Sequence, residues 1–183
     1  NFPKEIIYSL YKYLDDYNNI ILCYIFQDNK KIFKHINNIK YINILFQNKL
    51  YNILNWIFFN VYSSNNFFNL NYSKNIFELL VKYNKLKLLK LYYYKIRNYY
   101  KYYNSVKLSI LLNLNHNIFR LSIKKNNLKL IKFLYNIGCQ WSNNYIIEDS
   151  NLNIFGEAIS QYINSIDYNF KIIEFLYEID CPR

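Results

Sequence analysis

Glycine and proline are nearly missing from this chain of 183 residues, which has two of each. Methionine is absent, and Ala158 is the sole alanine. With only Gly138 and Gly156, no glycine-rich loop can be built to cradle a phosphate. Histidine is as scarce: neither His35 nor His116 has a Cys, Asp or Glu at metal-ligand spacing. Three cysteines, an odd number, agree with a reducing compartment. Cys23 lies on an apolar face and reads as plain core. The acidic pairs Asp15-Asp16 and Glu148-Asp149 sit in turn-like contexts, where such pairs are solvated rather than catalytic. The expectation is a protein without enzymatic activity, cofactor or metal.

Long apolar runs are lacking too. The longest uncharged stretch, Leu50 to Ser73, carries seven asparagines and would not sit in lipid. The start, Asn1-Phe2-Pro3-Lys4-Glu5, has neither an initiator Met nor a charged-then-apolar leader. A soluble, intracellular protein is the expectation. The missing Met and an end at Arg183, where a further repeat would begin, read as a piece of something longer.

What is abundant is aromatic and aliphatic. Tyrosine occurs 22 times and phenylalanine 14; apolar residues make up 52% and charged residues 19%, a globular balance. Asn, Ile, Lys and Tyr are the residues of AT-rich codons, so nucleotide bias in the source genome accounts for the excess.

Self-similarity organises the rest. The triplet Asn-Ile-Phe occurs at positions 75–77, 117–119 and 153–155. With the first two in register, 42 residues apart, ten of the eighteen positions from Ile76 and from Ile118 are identical. From Asn126 and Tyr168, again 42 apart, eight of sixteen agree. Between these two matching parts the third copy has six extra residues, around Ile163 to Tyr168, as a surface loop tolerates.

Each copy reads as a helix pair. In the second, Phe119, Ser122 and Ile123, then Leu128, Ile131, Leu134 and Tyr135, recur at helical spacing. Asn126-Asn127 parts the two helices, since Asn tolerates turn geometry and can cap the next helix. Gly138 closes the second helix as its left-handed C′ residue. Cys139 and Cys181 are one structural position seen twice, about a repeat apart, so neither a shared metal nor a disulfide is expected. A pair this short buries its stripe only against stacked neighbours.

The run NIFRLSIKKNNLKLIKFLYNIGCQW resembles an ankyrin repeat. Phe119 takes the Leu place of that pattern, Ser122 and Ile123 the paired Ala places, Asn126-Asn127 the Gly-His turn, and Gly138 the final Gly. Asn117-Ile118 stands for Thr-Pro, Arg120 replaces the His, and the period is longer. The extra length would lie in the connections Tyr94 to His116 and Ser142 to Asn153, so hairpin fingers are not assured. The style is most similar to ankyrin proteins of giant viruses, which implies the host cytoplasm. The implied fold is an all-α, ankyrin-like helical-repeat solenoid of stacked helix pairs, with three degenerate repeats over residues 74–183, the last incomplete. The implied function is protein–protein interaction through a concave face carrying Lys82, Tyr83, Lys124, Lys125, Ser160 and Gln161.

Residues 1–38 form a separate segment. Pro3 and Glu5, then Ile6, Ile7, Leu10 and Leu14, give a short amphipathic helix; Asp15 to Asn19 read as a turn, and Ile20 to Phe26 start a second helix. This start resembles an F-box, which implies docking on the Skp-type linker of a cullin ubiquitin ligase through Pro3, Ile6, Ile7, Leu10 and Leu14. The same helix pair read plainly caps the repeat stack. Residues 39–73 read as a further, decayed repeat, Asn48-Lys49-Leu50 echoing Asn84-Lys85-Leu86 at 36 residues.

Charge is unevenly spread over the net +11: residues 74–107 carry +8 and residues 145–183 carry −5. Within the stretch 82–107, Lys87, Lys90, Lys95, Arg97 and Lys101 alternate with Tyr92, Tyr93, Tyr94, Tyr99, Tyr100, Tyr102 and Tyr103. Such interleaving suits single-stranded nucleic acid, with charges on phosphate and rings on bases. It equally suits a solvated helix face, or faster association with an acidic protein.

Overall fold

A computed structural model of the chain describes residues 15–25, 39–61, 70–100, 116–139 and 153–181. The described residues form nine α-helices and one π-helical segment, with no strand. The fold is all-α. Two compact units divide it, Asn1–Asn75 and Ile76–Arg183.

In the first unit, α1 (Asp16–Ile25) starts earlier than the sequence predicts. Asp15 is a cap rather than a turn residue: its Oδ1 accepts from the Asn18 N–H at 2.8 Å, satisfying one of the open donors of the first turn. The apolar face of α1 buries Ile20 and Cys23, and Tyr24 meets Trp56 edge-on with ring centroids 5.5 Å apart. α2 (Ile39–Gln47) and α3 (Tyr51–Trp56) are joined by a tight turn, and α3 runs on into a π-helical segment, Ile57–Val61. Lys49 takes the left-handed conformation at φ 57°, and the Leu50 N–H reaches back to the Leu45 carbonyl at 3.0 Å. That is a Schellman closure without glycine.

The unit boundary falls inside α4 (Leu70–Lys82). From there the second unit is built of helix pairs: α4 with α5 (Leu86–Tyr99), α6 (His116–Lys124) with α7 (Leu128–Asn136), and α8 (Ile154–Asn164) with α9 (Lys171–Glu178). Helix α5 extends to Tyr99, so residues 94–99 belong to a helix and not to the connection expected there.

The joints follow the asparagines. Asn84 and Asn126 both adopt positive φ, 56° and 50°. Asn127 caps α7, its Oδ1 accepting from the Leu130 N–H at 3.1 Å. In the first unit Lys49 occupies the place of Asn84, so the two turns stand in register at 35 residues rather than 36. Helix ends also repeat. Gly138 (φ 82°) and Asp180 (φ 51°) are both left-handed, and the N–H groups of Cys139 and Cys181 each return to a carbonyl five residues back at 3.0 Å. Both thiols are buried directly behind these closures.

The buried stripes match the sequence on α6, where Phe119, Ser122 and Ile123 are inaccessible. On α7 they are turned: Leu130, Ile131, Phe133 and Leu134 fill the core, while Leu128 is half-buried and Tyr135 partly exposed. Tyr135 instead lies edge-on against Phe175 of α9 at 5.7 Å, and Tyr93 of α5 meets Phe133 the same way at 5.8 Å. Spare aromatic area thus joins neighbouring pairs. The six extra residues of the third copy extend α8 and its turn; Ile163 and Ile166 are exposed there, whereas Tyr168 folds back into the core.

Candidate functional site

A carboxylate lies on the apolar face of α8. Ile154, Glu157 and Ala158 share that face at helical spacing, and Glu157 is 5% exposed. A lone buried charge would be very costly. Arg120, one pair earlier on α6, meets it: Nε donates to Oε2 at 2.9 Å and an Nη at 2.6 Å, with the arginine side chain itself 18% exposed. The Gln161 amide donates to the other oxygen at 3.2 Å, and the Lys124 ammonium stands 3.7 Å from it. Burial pushes the Glu157 carboxyl up, but hydrogen bonds from Arg120 and Gln161 and the charges of Arg120 and Lys124 outweigh it, so it ionises below the usual range. Tyr168 faces the same carboxylate; burial, then the negative charge of Glu157, push its phenol well up. Its buried hydroxyl has no hydrogen-bond partner among the described residues.

This cluster sits under part of the face predicted for partner binding. Lys82, Lys124 and Ser160 stand at one distance from the start of the shared Ile-Phe motif, as do Tyr83, Lys125 and Gln161. Lys82 and Lys124 are exposed at the ends of α4 and α6; Tyr83 and Lys125 are half-buried in the following turns. The Lys82 ammonium lies 5.9 Å from the Tyr83 ring centroid. Because α8 continues further, Ser160 and Gln161 lie within the helix, half-buried, and Ser160 accepts from the Asn164 amide at 3.3 Å. Lys124 and Gln161 therefore converge on Glu157, whereas Lys82 and Tyr83 pair with each other. Glu157 and Arg120 do not stand out as a pair in the sequence. An acid at the spacing of a core stripe, on a helix following one with an arginine, is the signal that could have found them.

The basic-aromatic stretch divides on α5. Tyr92 and Tyr93 are fully buried and cannot stack on a base, while Tyr94 and Tyr99 are exposed. Lys87, Lys90 and Arg97 are exposed, the Lys90 ammonium lying 5.6 Å from the Phe133 ring centroid. Lys95 is half-buried, and burial lowers its pKa. Lys101 lies outside the described residues, as do Pro3, Ile6, Ile7, Leu10 and Leu14 of the F-box-like start.

Burial pushes the thiols of Cys139 and Cys181 up to about 12, which removes thiolate character. Among the described residues no group of three His, Cys, Asp or Glu could hold a metal ion, and no helix is long and apolar enough to cross a membrane. No family model, curated protein or solved structure matches the chain.

Proposed function

We propose that the chain is a non-enzymatic recognition module of the ankyrin type, a solenoid of stacked helix pairs that binds a protein partner on the face of Lys82, Tyr83, Lys124, Lys125, Ser160 and Gln161. The observation that carries this reading is the register. These positions recur at one distance along α4, α6 and α8, and the Arg120–Glu157–Gln161 cluster holds the last two helices together beneath them. A rigid base under varied side chains, the two lysines Lys82 and Lys124 exposed and the other four half-buried, is what a preorganised interface needs. Three of the six are lysines, which favours a partner with an acidic face. If the F-box-like start docks a Skp-type linker, the module would present that partner to a cullin ubiquitin ligase.

The test separates binding from folding. Lys82, Tyr83, Lys125 and Ser160 are replaced together by Ala or Ser, leaving Lys124 and Gln161 on their buried carboxylate. Wild type and variant are immobilised side by side, and the proteins each retains from eukaryotic lysate are quantified, with the Skp-type linker probed directly. Unchanged thermal stability with loss of the retained partner is expected. Equal retention by both would remove the function from this face. A steep linear fall of oligonucleotide affinity on a log–log salt plot would instead favour a nucleic-acid role for α5.

A further inference from the structure

Three lysines begin three successive second helices. Lys87 of α5, Lys129 of α7 and Lys171 of α9 stand 42 residues apart, each in the first turn and each exposed. On α5 and α7 the next lysine, one turn on, is engaged. The Lys90 ammonium lies 5.6 Å from the Phe133 ring centroid and that of Lys132 5.0 Å from the Phe175 centroid. The ammonium groups of Lys87, Lys129 and Lys171 have no partner among the described residues. A cation in a first turn works against the helix dipole, so helix stability does not account for the repetition.

The turns that carry these lysines are bonded into a row. The Asn127 side chain donates to that of Asn84, and the Asn126 side chain joins Asp167 and Asn169. Neighbouring packed helices run about 8–10 Å apart, which sets the step from one lysine to the next. We propose that this row docks an extended acidic segment of a partner protein, with carboxylates at every third residue and an apolar residue at the α9 end.

Spacing supports the extended form. A polyproline-II chain has three residues per turn and rises about 9 Å over them, so every third side chain lies on one line at the step of the helices. Charge supplies the sign. Helices α5, α6 and α7 contain no acidic residue, so nothing on them neutralises the lysines. Helix α9 has Glu174 in its first turn and follows a turn with Asp167, which weakens the field there. Exposed apolar area takes over at that end: Ile166 is fully exposed and Phe170 50%, its ring centroid 5.5 Å from that of Tyr162. Single-stranded nucleic acid fits less well, because it needs rings beside the cations. Of the three lysines only Lys171 has an exposed ring next to it in the chain, and Tyr94 and Tyr99 lie about 10 Å and about 18 Å along α5 from Lys87. None of the three lysines belongs to the face proposed above, so the row stands whether or not that face binds.

The probe is a fluorescent peptide of three Glu-Pro-Pro units with a leucine at each end, titrated with the full chain at low salt and followed by anisotropy. A matched peptide of the same composition has its three glutamates adjacent. The spaced peptide is expected to bind wild type about tenfold more tightly than the matched one. Lys87→Gln/Lys129→Gln/Lys171→Gln should weaken the spaced peptide by about tenfold, and Ile166→Ser by a smaller factor. All four side chains are exposed, so unchanged circular dichroism is expected of both variants. Failure of the spaced peptide to bind, equal binding of the two peptides, or unchanged affinity of the triple variant overturns the proposal. So does an oligothymidylate that binds more tightly than the spaced peptide and displaces it, because the occupant is then nucleic acid. The two peptides are compared on wild type, so that result decides even where the triple variant fails to fold.

Discussion

Glu157 stays charged in a core position because three side chains from two helices are spent on it. Removing one member of such a pair leaves the other uncompensated. Arg120 keeps some contact with solvent, so Arg120→Met or Glu157→Gln is expected to lower stability by about 1–3 kcal/mol in chemical denaturation. The pH dependence has a definite sign. The folded carboxyl ionises below its unfolded value, so its stabilisation is complete above the unfolded pKa. It is lost as pH falls through the folded pKa. Wild type should therefore lose stability more steeply than Glu157→Gln below about pH 4. Parallel acid limbs in the two melts would show the pair to be inert. Nothing in composition points to this cluster: Glu157 is one acid among 12, and its partner lies 37 residues away in another pair.

Helix closure shows what a sequence displays of its elements and what it hides. Gly138 was legible as a left-handed C′ residue because glycine pays no Cβ penalty there. Asn126-Asn127 was legible as a turn plus cap. Asp180 and Lys49 hold the same backbone state without an advertising residue type, and Asp15 looked like a turn while acting as a cap. Asp at an N-cap follows local preference, so Asp15 was open to that reading; Lys49 is the position whose residue type conceals its backbone state. The Asn-Ile-Phe triplets gave the register but not the helix starts: Asn153 caps α8, whereas Asn75 and Asn117 lie inside helices. The face of α7 was misplaced by one step because Tyr135 was counted with the core, although its ring serves the junction with α9. Equivalent positions should respond oppositely to exchange. Gly138→Ala is expected to cost about 1 kcal/mol or more, while Asp180→Gly should raise stability by up to ~1 kcal/mol. Thermal melts of the two single variants check this, and changes of the same sign would mean that the two closures are not alike.

Across the second unit, neighbouring pairs are tied by rings, cations and the Arg120–Glu157 bond as well as by buried apolar side chains. Lys132 and Phe175 should show a coupling of about 0.5–1 kcal/mol in a double-mutant cycle, as an exposed cation over a ring does. The buried thiols report on the same linkage. At pH 8 neither Cys139 nor Cys181 should react with iodoacetamide in the native protein, and both should open at one denaturant concentration. Separate labelling transitions would mean that α9 unfolds alone. Another tie lies at the turns. The Asn127 amide donates to the Asn84 side chain at 2.6 Å. The Asn126 amide donates to the Asp167 carbonyl at 2.8 Å and its oxygen accepts from the Asn169 N–H at 2.8 Å. One side chain thus grips the following turn as a neighbouring strand would, and it does so just beyond the exposed residues Asn164 to Ile166. Whatever length of chain enters that turn, α9 starts from the same anchor. The segment is therefore a ready graft point, where an epitope or reporter peptide can be spliced in without resetting the helices on either side.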